Sequence, residues 1–251
     1  MEAIRYTCTK LINSNKQGIL KCDADGYYEI VIGGLNVFNS VGEYYTLKGA
    51  QELFDASSIL MRRIKSGTLS SEYEHPKRMP GMSLDDYIRR ILTIDRKFIC
   101  AHIKEVRLDL DYGKNHPELN NSQAVAIIGL VKPTGPYGDH LENSLKNKCE
   151  NVCFSIRALT KDYIHRGQTY RVLNIISTWD CVNEPGISSA NKYDTPSLES
   201  IYDQTITIPQ LERIVESDRI SSVATESSEL AFFALKKLKE NQNKSIIYNE
   251  W

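Results

Sequence analysis

The spacing of apolar and polar side chains predicts a chain built mostly of β-strands. Residues 97–109 form a long strand-like run, in which Ile99, Ala101 and Ile103 lie on one face. Residues 123–131 are apolar and β-branched, which indicates a buried strand. Further strand-like runs, rich in Tyr, Ile and Val, lie at 5–11, 27–37, 151–158 and 170–182.

Helical spacing interrupts these strands. Residues 47–65 carry apolar side chains at intervals of three and four. Ser83 opens the next helix with the pattern of a capping box. Further helices are predicted over 140–148 and 226–240. Strands with helices inserted between them are typical of the α+β fold class.

A change of composition divides the chain. From residue 183 onward Pro, Ser, Asn and Asp become frequent, which predicts a boundary near residue 195. We therefore expect one domain over 1–195 and a C-terminal tail over 196–251 that contains one helix. Long loops near 66–82 and 111–122 are typical of binding or catalytic segments, although an insertion gives the same pattern.

Charge and composition argue against several classes of function. The formal net charge of the 251 residues is -1, so no basic excess indicates a nucleic-acid partner. No segment reaches the ~20 apolar residues of a membrane span, and the first residues lack a secretory signal pattern. The six cysteines form no C-x-x-C pair, and no phosphate loop or His-x-x-x-His pair is present. Neither a metal nor a cofactor is expected.

The loop near 66–82 contains a candidate general base, His75. Pro76 follows it, and a proline keeps the backbone of the preceding residue extended. The imidazole titrates near neutral pH, which suits a general base. The structural alternative is a surface histidine in a turn, and this segment alone favours that alternative.

A candidate nucleophile, Ser155, lies at the centre of the apolar run 151–158. A serine hydroxyl bonded to a backbone carbonyl is the common structural alternative. Arg157 has the same strand parity as Ser155. Its charge, or a water that it orders, is therefore a candidate partner for a developing oxyanion, as are nearby backbone N–H groups.

A third candidate, Asp180, stands between Trp179 and Cys181 near the end of the run 170–182. A carboxylate in such an apolar setting needs a partner. Asp180 is therefore a candidate for the group that orients a histidine in a serine triad. The alternative is an aspartate that caps the turn formed by residues 183–186.

The order of these segments resembles a known family. A loop that begins at Gly67 ends in His75-Pro76, a Ser-x-Arg strand follows at Ser155, and an aromatic-Asp-x-Val segment contains Asp180. Over about residues 20–195 the chain resembles the prohead (capsid-maturation) proteases of tailed bacteriophages, most closely the T4-like and giant-phage branch. These proteases are similar in fold to the herpesvirus assemblins. The resemblance implies a serine endopeptidase with a small β-barrel-like core decorated by helices.

The resemblance also implies a role for each candidate residue. It makes His75 the base, Ser155 the nucleophile and Asp180 the third member of the triad. The loop before the histidine is longer here than the family pattern, so Glu74 (or Glu72 beside it) is an alternative third member, and His102 is another. Many relatives also have glycine where this chain has Ala158, so strain is expected there if the position needs a positive φ.

Substrates and location are likewise implied by the resemblance. Prohead proteases cut scaffold and capsid proteins inside the immature capsid, in the host cytoplasm, and then cut themselves, several of them after Glu. The assemblins act as dimers, which makes a homodimer a further expectation. Short matches to the cleavage pattern make Glu199, Glu226 and Glu229 candidate self-cleavage sites in a removable tail. Recognition of Glu needs a cationic pocket, for which the candidates are Arg62, Arg63, Lys77, Arg78 and Arg157.

Three other interpretations remain open. Cys153 shares the strand face of Ser155, which would make the chain a cysteine hydrolase. A catalytically silent scaffold or capsid-binding protein of the same fold is the second. The third is an unrelated α+β domain, in which the functional atoms of His75, Ser155 and Asp180 would lie more than ~10 Å apart.

Overall fold

Ten strands and six helices make up the part of the chain that the computed structural model describes, residues 3–13, 22–39, 42–147, 149–182, 204–220 and 226–247. The strands are β1 (Ala3–Asn13), β2 (Tyr28–Leu35), β3 (Val37–Phe38), β4 (Tyr44–Tyr45), β5 (Ser70–Glu72), β6 (Ile99–Asp109), β7 (Val125–Pro133), β8 (Val152–His165), β9 (Gln168–Val182) and β10 (Gln204–Thr207). The helices are α1 (Ile59–Lys65), α2 (Leu84–Leu92), α3 (Tyr112–Asn115), α4 (Gly138–Lys146), α5 (Ile208–Ile220) and α6 (Glu226–Ile247).

The strands form two sheets. The larger has the order β10-β1-β8-β9-β4-β3, and the smaller has the order β2-β7-β6-β5. All neighbours are antiparallel except β4 and β9, which are parallel. With helices inserted between the strands, this arrangement confirms the predicted α+β class.

The longest strand pair is the hairpin of β8 and β9. The register runs from Cys153 opposite Val182 to His165 opposite Gln168. The turn consists of Arg166 and Gly167, which both have positive φ, 51° and 77°. Two such residues are typical of the type I′ turn, whose twist matches that of the flanking strands. The sequence also predicts these strands as neighbours, but with a longer loop near 162–168.

Alternation along β8 separates two environments. Phe154 and Ile156 belong to the first hydrophobic cluster, which fills the space between the two sheets. Ser155 and Arg157 therefore face the other side of the larger sheet. Leu159, further along that same face, belongs to a second cluster formed with α2, α5 and α6. The candidate nucleophile thus lies on the face that the helices cover.

The second cluster ties the C-terminal tail to the body of the fold. Leu230 and Ala234 of α6 pack there against α2, whose apolar stripe includes Ile88 and Ile91. β10 pairs with the edge strand β1. The structure therefore adds a strand and the helix α5 to the single helix predicted for the tail. The predicted boundary near residue 195 lies outside the described residues.

Local capping changes the predicted boundaries of several elements. In the predicted helix 47–65, Ser58 has an extended backbone and accepts a hydrogen bond from the Met61 N–H, so α1 begins only at Ile59. A separate 3-10 turn, Gln51–Phe54, precedes it. The predicted loop near 66–82 contains the short strand β5, and the loop near 111–122 contains α3 and the 3-10 turn Pro117–Leu119.

Candidate active site

Two of the predicted site residues lie directly opposite each other. Ser155 of β8 pairs with Asp180 of β9 in the antiparallel register. Residues opposite each other in such a pair point to the same face, with Cβ atoms about 5 Å apart. Both residues are fully buried. The strand pairing therefore brings the candidate nucleophile and the candidate acid together on one face.

The loop after β5 brings His75 to the same place. β5 runs beside β9, with Ser71 Oγ donating to the Trp179 carbonyl at 2.6 Å. Tyr73 forms a parallel bridge to Cys181, and the N–H of Glu74 donates to the Cys181 carbonyl at 2.7 Å. These backbone contacts extend the path of β5 along β9. His75 is the next residue, and it lies beside Asp180.

The backbone of Glu74 is in the left-handed region, with φ of 66°. Such a conformation is uncommon for a residue with a side chain and costs on the order of 1 kcal/mol. It occurs immediately before His75, where it turns the chain. By contrast, Ala158 is not among the described residues with positive φ, so the strain expected there does not arise.

A short hydrogen bond joins His75 to Asp180. The distance from Nδ1 of His75 to Oδ2 of Asp180 is 2.8 Å, and the imidazole is about 10% exposed. An ionised carboxylate only accepts, so this contact places the ring proton on Nδ1. The Nε2 lone pair is then the position that takes up a proton. This tautomer is the one that a serine triad requires.

Asp180 is also bound by Arg157. The Nε of Arg157 donates to Oδ2 at 2.8 Å, and its NH2 group donates to Oδ1 at 2.6 Å. Burial raises the pKa of Asp180, but the charge of Arg157 and the bond to His75 lower it, and the net pKa lies below its usual value. Asp180 therefore carries a negative charge at neutral pH.

The lowered pKa of Asp180 predicts a specific pH dependence of stability. Because the folded pKa lies below the unfolded value of about 3.9, the stabilisation is complete above about pH 4 and is lost as the pH falls through the folded pKa. We expect the urea midpoint of the natural chain to fall more steeply below about pH 4 than that of Asp180→Asn. Unfolding curves measured between about pH 3 and 7 test this, and parallel curves would contradict it.

Two of the alternative third members, His102 and Glu72, have other partners. Nδ1 of His102 lies 2.9 Å from the Tyr27 hydroxyl, and its Nε2 lies 3.2 Å from the Gly67 carbonyl, so both ring nitrogens have partners other than His75. Glu72 binds Arg90 through two contacts of 2.9 and 2.5 Å. The contact to Nδ1 of His75 is therefore assigned to Asp180.

Three buried thiols lie beside these residues. Cys153 and Cys181 flank the candidate nucleophile and acid along their strands, and Cys100 lies on β6. A hydrogen bond with Cys100 and burial raise the pKa of Cys181 well above its usual value. A thiol that stays protonated is a poor nucleophile, so Cys181 is not a candidate nucleophile. The cysteine hydrolase with Cys153 as nucleophile stays a prediction.

Four of the five cationic candidates for a Glu-binding pocket have partners within the fold, and the partner of Arg157 is Asp180. Arg63 donates to the Ser177 carbonyl at 2.7 Å, and Arg78 donates to the Met82 carbonyl at 3.1 and 3.2 Å. Arg62 pairs with Glu229 of α6 at 3.2 Å. The cationic pocket for the Glu before the cleaved bond therefore stays a prediction, and none of these side chains is assigned to it.

The predicted self-cleavage sites lie in different settings. Glu199 lies outside the described residues. Glu226 is the first residue of α6, and Glu229 lies within that helix. A peptide bond inside a helix is not presented in extended form, so cleavage after Glu229 requires α6 to open locally.

Two charged residues of the site escape prediction from sequence in their present role. Arg90 of α2 binds Glu72 of β5 at 2.9 Å, and Glu72 in turn lies 3.3 Å from Arg157. Glu72 and Arg90 are 18 positions apart on different elements, and β5 is too short to show a period. No sequence signal therefore points to their pairing.

Within the described residues, no cluster of three or more His, Cys, Asp and Glu side chains has the arrangement of a metal site. In the same part of the chain, no helix has both the length and the apolar character that crossing a membrane requires.

Comparison with known proteins extends the resemblance noted in the sequence. The capsid maturation protease of Pseudomonas phage phiKZ is 40% identical over 203 residues, which cover 79% of this chain and 72% of that protein. The solved structure of the bacteriophage T4 capsid assembly protease matches with a TM-score of 0.46 and 11% identity, over 72% of this chain and 99% of that chain. Residues 6–241 match the Peptidase S80 family. The predicted resemblance to prohead proteases is thus confirmed, and the chain belongs to the Peptidase S80 family.

Proposed function

We propose that this chain is a serine endopeptidase in which Ser155 is the nucleophile, His75 the general base and Asp180 the group that orients His75. The observation that carries the proposal is the 2.8 Å contact between His75 and Asp180, with Ser155 directly opposite Asp180 on the adjacent strand. This spatial arrangement of a base, a carboxylate and a hydroxyl group supports acyl transfer. Membership in a peptidase family supports the same activity.

The proposed reaction follows from the tautomer of His75. The Oγ of Ser155 attacks the scissile carbonyl carbon, and its proton passes to Nε2 of His75. The negative charge of Asp180 stabilises the imidazolium that forms. His75 then gives this proton to the leaving amine as the C–N bond breaks, and water releases the acyl group by the same steps in reverse order.

Arg157 remains a hypothetical oxyanion partner in this scheme. Its guanidinium group contacts Asp180, Glu72 and the Thr93 carbonyl, the last at 3.0 Å. Backbone N–H groups close to Ser155 are the other candidates for binding the oxyanion. Both assignments stay predictions.

The substrates follow by similarity. The relative with 40% identity bears the name of a capsid maturation protease, which supports scaffold and capsid proteins as substrates of this chain. We extend the proposal to cleavage after Glu, to self-cleavage at Glu199, Glu226 or Glu229, and to action inside the prohead in the host cytoplasm. A barrel-like core of the assemblin kind is a further part of this proposal, with the hydrophobic cluster shared by both sheets as its interior. A homodimer is part of the same proposal.

A fluorophosphonate probe tests the proposed nucleophile without knowledge of the substrate. Serine Oγ displaces fluoride from the phosphorus, a P–O bond forms, and the base takes the proton. We expect labelling of the natural chain at Ser155, located by peptide mapping, and loss of labelling in His75→Gln. Labelling at Cys153 would favour the cysteine hydrolase. A folded chain without any label would favour the silent scaffold or capsid-binding protein.

The role of Glu74 gives a second test of the triad. Asparagine tolerates the left-handed backbone and lacks the carboxylate, so Glu74→Asn keeps the turn and removes the alternative acid. We expect the labelling rate of this variant to stay within about threefold of the natural chain, because Asp180 is the partner of His75. A loss of about 10⁴-fold, comparable to that of a missing triad carboxylate, would reassign the third member to Glu74.

A further inference from the structure

A buried network of four charges surrounds the candidate acid. Glu72, Arg157 and Asp180 are fully buried, and the side chain of Arg90 is 19% exposed. The NH2 group of Arg157 lies 2.6 Å from Oδ1 of Asp180 and 3.3 Å from Oε1 of Glu72. Buried charges are costly unless they are paired, so each member holds its neighbours in place.

Glu72 is the most constrained member of this network. Arg90 approaches its two carboxylate oxygens at 2.9 and 2.5 Å. The N–H of Asp95, just beyond the end of α2, donates to Oε1 at 2.6 Å. The N–H of Glu72 itself donates to Oδ1 of Asp180 at 3.2 Å. Glu72 therefore connects α2 to Asp180 through side-chain and backbone contacts.

The charges of the network determine the electrostatic environment of His75. The two carboxylates and two guanidinium groups sum to zero net charge. If Arg157 were bound to Asp180 alone, its charge would cancel much of the negative charge that stabilises an imidazolium. Because Arg157 is bound by Glu72 as well as by Asp180, part of the negative potential beside His75 is preserved. Arg90 binds Glu72 and so cancels part of the negative charge of Glu72.

We propose that Glu72 is a positioning residue of the proposed hydrolysis: it shares the Arg157 guanidinium with Asp180, so that Asp180 keeps negative charge for His75, and it is itself held by Arg90. This inference rests on the proposed function, because it assigns the network a task at the His75 base. It gives α2, which contributes no triad member, a part in arranging the triad.

The other charged or titratable groups on the elements around His75 are the same in both variants described next. On the loop of His75 these are Glu74, Lys77 and Arg78. On the neighbouring elements they are Arg63 of α1, Tyr87 of α2, Arg157 of β8, and Asp180 and Cys181 of β9.

The test is the titration of the His75 ring, followed by NMR in protein with labelled histidine. The chain has only five histidines, and His75→Gln identifies the signal. Glu72→Gln removes a negative charge, so we expect the midpoint of His75 to fall by about one pH unit. Arg90→Met removes a positive charge and should raise the midpoint. General loosening of the fold would shift the His75 midpoint in the same direction in both variants. Opposite shifts therefore report the charges that were removed.

A matched control is available in the same sheet. Glu43 pairs with the buried Arg171 at 2.7 Å. Arg171 lies nine residues before Asp180 on β9, which is about 30 Å at the rise of a strand. Glu43→Gln therefore breaks a comparable pair far from the site, and we expect it to leave the His75 midpoint unchanged.

The outcomes separate the inference from the proposed function. If Glu72→Gln and Arg90→Met both leave the midpoint within about 0.2 units, the positioning role is refuted. If Glu72→Gln does not fold, a rise in Arg90→Met supports the inference and an unchanged midpoint rejects it. Fluorophosphonate labelling of the natural chain tests the proposed function separately. If the His75 midpoint shifts in both variants but Ser155 of the natural chain is not labelled, the effect of the charge network on His75 is supported and the proposed hydrolysis is rejected.

Discussion

Replacing Ser155 by alanine is expected to abolish cleavage, with a loss of about 10⁶-fold in kcat, because removing the nucleophile of a serine triad has an effect of that size. The measurement is the intact mass of the purified chain over several days at high concentration. The natural chain is expected to shorten in its tail, after Glu199, Glu226 or Glu229. The Ser155→Ala chain is expected to keep the mass of all 251 residues.

The matched control for this substitution is Ser177→Ala. Ser177 is also a buried serine and lies on β9, three residues before Asp180. It has no part in the proposed reaction, so its variant should shorten like the natural chain. Identical shortening of the Ser155→Ala chain would attribute the cleavage to another protease. If neither chain shortens, co-expression with a capsid scaffold protein decides between a latent and a silent protein.

Replacing Asp180 by asparagine is expected to impair both activity and stability. The amide no longer fixes the tautomer of His75, and an equivalent change in a serine triad lowers kcat about 10⁴-fold. It also leaves the buried Arg157 without its main counter-charge. Removing one partner of a buried ion pair lowers the free energy of unfolding by about 3–5 kcal/mol. Labelling rates and urea unfolding at neutral pH measure the two effects.

An exposed ion pair provides the control for Asp180. Asp85 of α2 pairs with Arg213 of α5 at 2.9 Å, and both side chains are more than a third exposed. Such pairs contribute less than about 1 kcal/mol, so Asp85→Asn should change stability little and leave labelling intact. An Asp180→Asn chain with the full labelling rate would show that another carboxylate orients His75.

The strand pattern predicts much of the site. The apolar run around Ser155 and the run that ends near Asp180 are recognisable because β-strands bury alternate residues on each face. A tight turn makes the two strands neighbours, and a fixed register follows from it. The sequence can therefore indicate that these two residues share a face, although it cannot give a distance between them.

The position of His75 and its supporting charges depends on contacts that no local pattern encodes. The loop reaches Asp180 because β5 runs beside β9, and that strand has only three residues. The pairing of Glu72 with Arg90 joins two elements across a folded distance. Such contacts arise from tertiary packing, so alternation and helical spacing give no sign of them.

The tail illustrates a related limit. The apolar stripe of α6 was recognisable at Leu230 and Ala234, but the stripe does not reveal the surface against which it packs. In the structure that surface includes α2. β10, with four residues, is too short for a strand pattern to stand out from the surrounding sequence.

One helix, α2, serves both the tail and the site, and this sharing has a consequence for the lifetime of the enzyme. Its apolar side packs against α5 and α6, while Arg90 and the carbonyl of Thr93 hold the charges around Asp180. A cut between β9 and β10 would break one peptide bond and leave this packing in place, so the nicked protein is expected to persist as two associated pieces. Departure of the tail would expose the apolar side of α2 and loosen its hold on the site.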